Sequence, residues 1–190
     1  MQPMAVETRH ISPYSLKEKI ARLFWAIVQV TVFRFSFHTW HRWRIFLLNT
    51  FGASVDPTCV IRRTTVVECP WNLTMGRNSC LGNRVIAYCL GKITIGERVS
   101  ISQHAHLCAG SHDYTDQNMS LTRDPITIHD DVWIAADAFV GPNVVIGEGA
   151  ILGARGVAMK SLDAWTIYAG NPAQSVKSRE MPSSKETIGS

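Results

Sequence analysis

The chain has 190 residues, room for one domain with terminal arms but not for two full catalytic domains. With 46% apolar and 18% charged residues it is neither disordered by composition nor apolar throughout, so a soluble or peripheral protein is expected. Nineteen Lys and Arg against fifteen Asp and Glu leave a net +4, which favours anionic ligands mildly but lacks the dense basic stripe of a nucleic-acid binder.

Residues 1–50 form an aromatic and basic arm, with Phe24, Trp25, Phe33, Phe35, Phe37, Trp40, Trp43 and Phe46 spaced among Arg22, Arg34, Arg42 and Arg44. Ser15 followed by Glu18 reads as a capping box, and Leu16, Ile20, Leu23, Phe24, Ile27 and Val28 recur at helical spacing. This predicts an amphipathic helix over 15–31 and a shorter one over 39–49. Their apolar face is expected to cap a core; the alternatives are a peripheral contact with an anionic membrane or a partner protein. The run from Leu23 to Phe37 is broken by Gln29 and Arg34 and falls short of the ~20 apolar residues of a membrane span. Five cysteines, Cys59, Cys69, Cys80, Cys89 and Cys108, make no C-x-x-C pair and follow no secretory signal, which suits reduced thiols in the cytoplasm, with the inner face of the membrane as an alternative address.

From Val55 onward an internal period of six takes over. Ile128, Ile134, Val140, Ile146, Leu152 and Ala158 fall six apart, and Ile95, Ile101 and Leu107 form an earlier run. Met75 and Leu81 continue it upstream, with Val55, Ile61 and Val67 a weaker start. The next position is often small (Ala135, Gly141, Gly147, Gly153), and position five is small or β-branched (Val132, Ala138, Val144, Ala150). One aliphatic and one small residue per hexad predict a mainly β, three-sided parallel β-helix with 18-residue turns, the small residue easing each corner. The predicted organisation is a helical arm at 1–50, a β-helix at 51–173 with an excursion at 110–125, and a tail at 174–190.

The rhythm fails between Leu107 and Ile128, where Gly110-Ser111-His112-Asp113-Tyr114-Thr115-Asp116 opens a polar excursion. Long departures from a rigid scaffold usually carry function, and an exposed imidazole there suits a general base. Asp113 either orients the ring or faces water. Cys108 as nucleophile beside His112 is a second chemistry, although Cys108 stands in a small-residue slot. A metal site drawing on His104, His106, Cys108 and His112 is a third, opposed by His104 and His106 flanking the inward Ala105. A non-catalytic scaffold would lack the histidine or the tryptophan, and both are present.

Leu107-Cys108-Ala109-Gly110-Ser111-His112-Asp113, then Pro125-Ile126-Thr127-Ile128 and Val132-Trp133-Ile134-Ala135, and the closing Ala169-Gly170-Asn171-Pro172-Ala173 form an ordered set. With the hexads, it resembles the left-handed β-helix acyltransferases, most closely the colanic-acid and exopolysaccharide biosynthesis O-acetyltransferases. The resemblance implies left-handed winding, a homotrimer, and acetyl-CoA as co-substrate for acetylating a sugar hydroxyl, with no metal. It implies His112 as catalytic base, Trp133 against the coenzyme A arm, Ala136 and Ala154 as backbone contacts to pantetheine, and Lys160 and Lys177 near the coenzyme phosphates. Gln174 stands where relatives often carry Arg or Lys, and Cys89 where many carry Asn. Tyr88, Cys89, Asp113 and Tyr114 are the expected acceptor contacts, and a lipid-linked saccharide would account for the basic aromatic arm.

Overall fold

The computed structural model describes residues 12–180; positions 1–11 of the expected arm and 181–190 of the expected tail lie outside the described residues. From Ser54 to Ala169 the chain winds as a parallel β-solenoid of between five and six coils, each coil giving a short strand to each of three sheets. The first face turns Val55, Met75, Ile95, Ile128 and Ile146 inward. The second stacks Ile61, Leu81, Ile101, Ile134, Leu152 and Tyr168, and the third Val67, Ala87, Leu107, Val140 and Ala158. All of these are buried, and each large aliphatic contributes roughly 1.5–3 kcal/mol by leaving water. The mainly β, hexapeptide-repeat class expected from the period is the class observed.

Two expectations about the repeat need correction. The 18-residue turn holds only from Ile128 to Ala158, where Ile128 pairs with Ile146, Ile134 with Leu152 and Val140 with Ala158; upstream, Val55 pairs with Met75, and Met75 with Ile95, at intervals of 20. The added residues enter at one vertex, between the third and first faces, where Pro70–Asn72 forms a 3-10 turn and where the 110–125 excursion leaves. Nor do the small residues after the aliphatic positions turn the corner. The left-handed residue comes two places later, at Asn78, Arg84, Arg98, His104, Asp131, Asp137, Asn143, Gly149 and Arg155. The glycines answer to stacking instead: a Cβ on Gly76 would lie 2.8 Å from the Gly96 carbonyl of the next coil.

α1 (Leu16–Val28) runs on as a π-helical turn through Phe33, and α2 is His41–Thr50. Together they close the open ladder at the base. The Trp25 indole donates to the Val67 carbonyl (2.6 Å) and Gln29 Oε1 accepts from its N–H (2.7 Å). Arg44 Nε donates to the Ile61 carbonyl (2.7 Å), and the Asn49 amide makes both bonds to Val55, each 2.9 Å. Each of the three faces thus has its first strand met by a side chain rather than left as a bare edge.

The apolar stripe of α1 does not do this capping. Of the helix only Trp25 is buried and, of the stripe, only Val28 packs half-buried against the core, whereas Leu16, Ile20, Leu23, Phe24 and Ile27 are exposed, as are Phe35, Phe37, Trp40 and Phe46 further on. The capping box is half made: Ser15 Oγ accepts from Glu18 N–H (3.2 Å), while the Glu18 carboxylate turns to Arg123. At the far end Thr166–Ala169 adds a last parallel strand, and Gln174–Ser178 folds back antiparallel on it, so the first residues of the expected tail belong to the second sheet. Among the described residues no helix is long and apolar enough to cross a membrane.

Candidate active site

The excursion is an ordered hairpin. Ser111–His112 pairs antiparallel with Leu121–Thr122, His112 opposite Leu121. Its tip is tied by two side-chain turns of a kind Asp favours. The Asp113 carboxylate accepts from Thr115 N–H (2.9 Å) and Oγ1 (2.6 Å), and Asp116 accepts from Asn118 N–H (3.0 Å) and the Ser120 hydroxyl. Those hydroxyl bonds, then the amide bonds, hold both carboxyls below the usual range. The returning limb is anchored to α1 by the Arg123–Glu18 ion pair (3.2 Å).

This geometry settles the orientation of the imidazole. Nδ1 of His112 lies 2.6 Å from the Met119 carbonyl, which can only accept, so the neutral ring carries its proton on Nδ1. Nε2 is left with a lone pair at the exposed end of the ring, the arrangement a general base needs. Asp113 is committed to Thr115 and is not the orienting group. The Met119 carbonyl was missed by sequence reasoning, although the Asp-x-Thr and Asp-x-Asn spacings at 113–118 signal the turns that bring it round.

The remaining predicted residues divide between two vertices of the prism. Trp133 stands outward on the second face, its indole N–H donating to Ser102 Oγ (3.0 Å), with about half the ring exposed. Ala136 and Ala154 follow at the vertex between the second and third faces; the Ala136 carbonyl accepts from Arg155 N–H (2.9 Å), which leaves its N–H as the available contact. His112 and Lys160 lie at the vertex between the third and first faces, opposite the second face, so within one chain the hydrophobic core separates His112 from Trp133. Lys177 is on the last strand of the second sheet, paired with Ile167, whereas Lys160 is on the turn that follows the third face.

The acceptor residues fare unevenly. Tyr88 is half-buried beside the excursion, edge-on to His106 at 6.4 Å, with burial raising its phenol pKa. Tyr114 is exposed at the hairpin tip. Cys89 corrects the expectation: it is fully buried, its thiol donates to the Cys69 carbonyl (3.1 Å), and burial first pushes that thiol up to about 11, so it presents nothing to a ligand. Cys108 donates to the Gly110 carbonyl (3.2 Å) rather than facing an imidazole. His104 is exposed at a corner and His106 packs edge-on against Phe139, and among the described residues no three metal-ligating side chains converge.

Residues 125–157 match the family model described as bacterial transferase hexapeptide (six repeats). The chain is 44% identical over 158 residues to the putative colanic acid biosynthesis acetyltransferase WcaF of Escherichia coli K12, covering 83% of this chain and 86% of that one. In fold it is similar to a maltose O-acetyltransferase from Clostridium difficile 630, with a TM-score of 0.77 at 22% identity over 88% of this chain and 92% of that one. It is equally similar to the hexapeptide-repeat acetyltransferase VCA0836 of Vibrio cholerae O1 biovar eltor in complex with acetyl coenzyme A, with a TM-score of 0.77 at 21% identity over 90% and 94%. Hexads, coil stacking and this extended identity lead to one conclusion: the chain belongs to the hexapeptide-repeat acetyltransferases, in the group that contains the putative colanic acid biosynthesis acetyltransferases.

Proposed function

We propose that the chain transfers acetyl from acetyl-CoA to a hydroxyl of a sugar in the biosynthesis of an exopolysaccharide or surface glycan, with His112 as general base. The observation that carries this is the Met119 carbonyl on Nδ1, which leaves Nε2 free to take a proton. Nε2 removes the hydroxyl proton of the acceptor as its oxygen attacks the thioester carbonyl carbon. The C–S bond of the tetrahedral intermediate then breaks, and the imidazolium returns the proton to the departing thiolate. No covalent enzyme intermediate is needed, and holding thioester and alcohol together supplies much of the rate. The test is His112→Ala, which lowers kcat by ~10² to 10⁴ while the affinity for coenzyme A stays within a few-fold. Near-normal acetylation by that variant would remove His112 from the mechanism.

A single chain holds two half-sites at different vertices. The reading therefore includes a cyclic trimer in which the His112 hairpin of one copy faces the Trp133, Ala136 and Ala154 groove of the next. The outward column of the third face, Val66, Ile86, His106, Phe139 and Val157, is apolar enough to support such lateral packing. The reading also puts the enzyme at a cytoplasmic membrane face, acting on a lipid-linked saccharide. The support is the outward stripe of α1, together with Lys17, Lys19, Arg34 and Arg42, which are exposed and paired with no carboxylate among the described residues.

A further inference from the structure

A groove of about 810 Å³ runs from Val60 past Ser102 to Trp133 at the vertex between the second and third faces, and it holds positive charge that no carboxylate lining it from the same chain neutralises. Arg62, Arg63 and Arg84 line it, all exposed, and no Asp or Glu does. Elsewhere on the solenoid, arginines are matched: Arg77 with Glu97 (3.3 Å), Arg98 with Asp131 (2.8 Å), Arg123 with Glu18 (3.2 Å) and Arg155 with Asp137 (3.8 Å). The three in the groove pair with no carboxylate among the described residues. Behind them Arg44 is fully buried, held by carbonyl oxygens, the Ser36 hydroxyl and the His41 ring. Burial, and then the charges of Arg62 and Arg63, lower its pKa. A concave surface with charge of one sign concentrates anions, and the guanidinium fork matches phosphate oxygens.

The position of these arginines separates them from the coenzyme. In the acetyl-transfer reading, on which this inference rests, the thioester lies beside Trp133, Ala136 and Ala154, and Lys177 is further toward the C-terminal end. Arg84 lies two coils from Trp133 on the other side, and Arg62 and Arg63 three, or about 10 and 14 Å at ~4.8 Å per coil. A short saccharide spans that interval. We propose that the groove binds phosphoryl groups of the acceptor, so that the substrate is a saccharide carrying a phosphate or diphosphate a short distance from the hydroxyl that is acetylated.

Calorimetry with inorganic pyrophosphate tests this on the full chain saturated with coenzyme A, which occupies its own phosphate contacts. Pyrophosphate is expected to bind, and the double variant Arg63→Gln/Arg84→Gln to weaken it at least tenfold, with coenzyme A affinity changed less than twofold. Uridine diphosphate and farnesyl diphosphate then serve as competitors, standing for a nucleotide sugar and a lipid-linked saccharide. Displacement by either supports the inference, and the one that competes names the source. Failure of both to displace, pyrophosphate binding indifferent to the arginines, or an equal loss of coenzyme A binding would each overturn it. If coenzyme A does not bind at all while pyrophosphate binding still requires the arginines, the acetyl-transfer reading fails and the anion site stands.

Discussion

At the scale of the residue, His112 is oriented by a backbone carbonyl seven places on, not by the acid beside it. Asp113 and Asp116 shape the hairpin that delivers the carbonyl. Both carboxyls sit below their ordinary value of 3.8, so the stabilisation they give the hairpin is complete above that pH and is lost as pH falls through the lowered values. Amide shifts of Thr115 and Asn118 followed by NMR are expected to titrate with midpoints under 3.8; midpoints at or above it would mean that the turns are not formed in solution. His112 itself was legible because the repeat breaks around it. Its partner was not, because a carbonyl has no sequence signature and becomes visible only once the turns close. Cys89 failed as an acceptor contact because a period of six does not say which side of an irregular vertex faces the core.

At the scale of the element, α1 has its apolar stripe turned outward, and the solenoid is closed by Trp25, Gln29, Arg44 and Asn49. Helical periodicity showed the stripe but not its direction, which depends on where these four partners meet the ladder edge. Trp25→Ala removes a buried indole and orphans the Val67 carbonyl, and is expected to cost about 3–5 kcal/mol in chemical denaturation. A loss under about 1 kcal/mol would mean that the base is closed by something else. The exposed stripe carries the opposite expectation. The wild-type chain should sediment with vesicles rich in phosphatidylglycerol, less so as salt rises, and Leu23→Glu/Ile27→Glu should abolish the binding without loss of fold. Equal binding to neutral vesicles, or binding unaffected by the two glutamates, would remove the membrane from the account.

At the scale of the whole molecule, the prism was the most legible feature, since inward aliphatic residues every six positions allow little else. The 20-residue coils were harder to read because the extra residues collect at one vertex and leave the aliphatic pattern on the other faces intact. The expectations of left-handed winding and of a trimer came with the family resemblance, not with the spacing. The central claim is that the working site lies between copies, with the imidazole of one chain serving the groove of the next. Mixing unfolded His112→Ala and Trp133→Ala chains in equal amounts, refolding them together and assaying acetyl transfer at low acetyl-CoA tests it most directly. Random reassembly into trimers should restore activity to about a quarter of wild type, because about one interface in four would combine an intact His112 with an intact Trp133. Activity no higher than that of the two variants refolded separately would contradict the account.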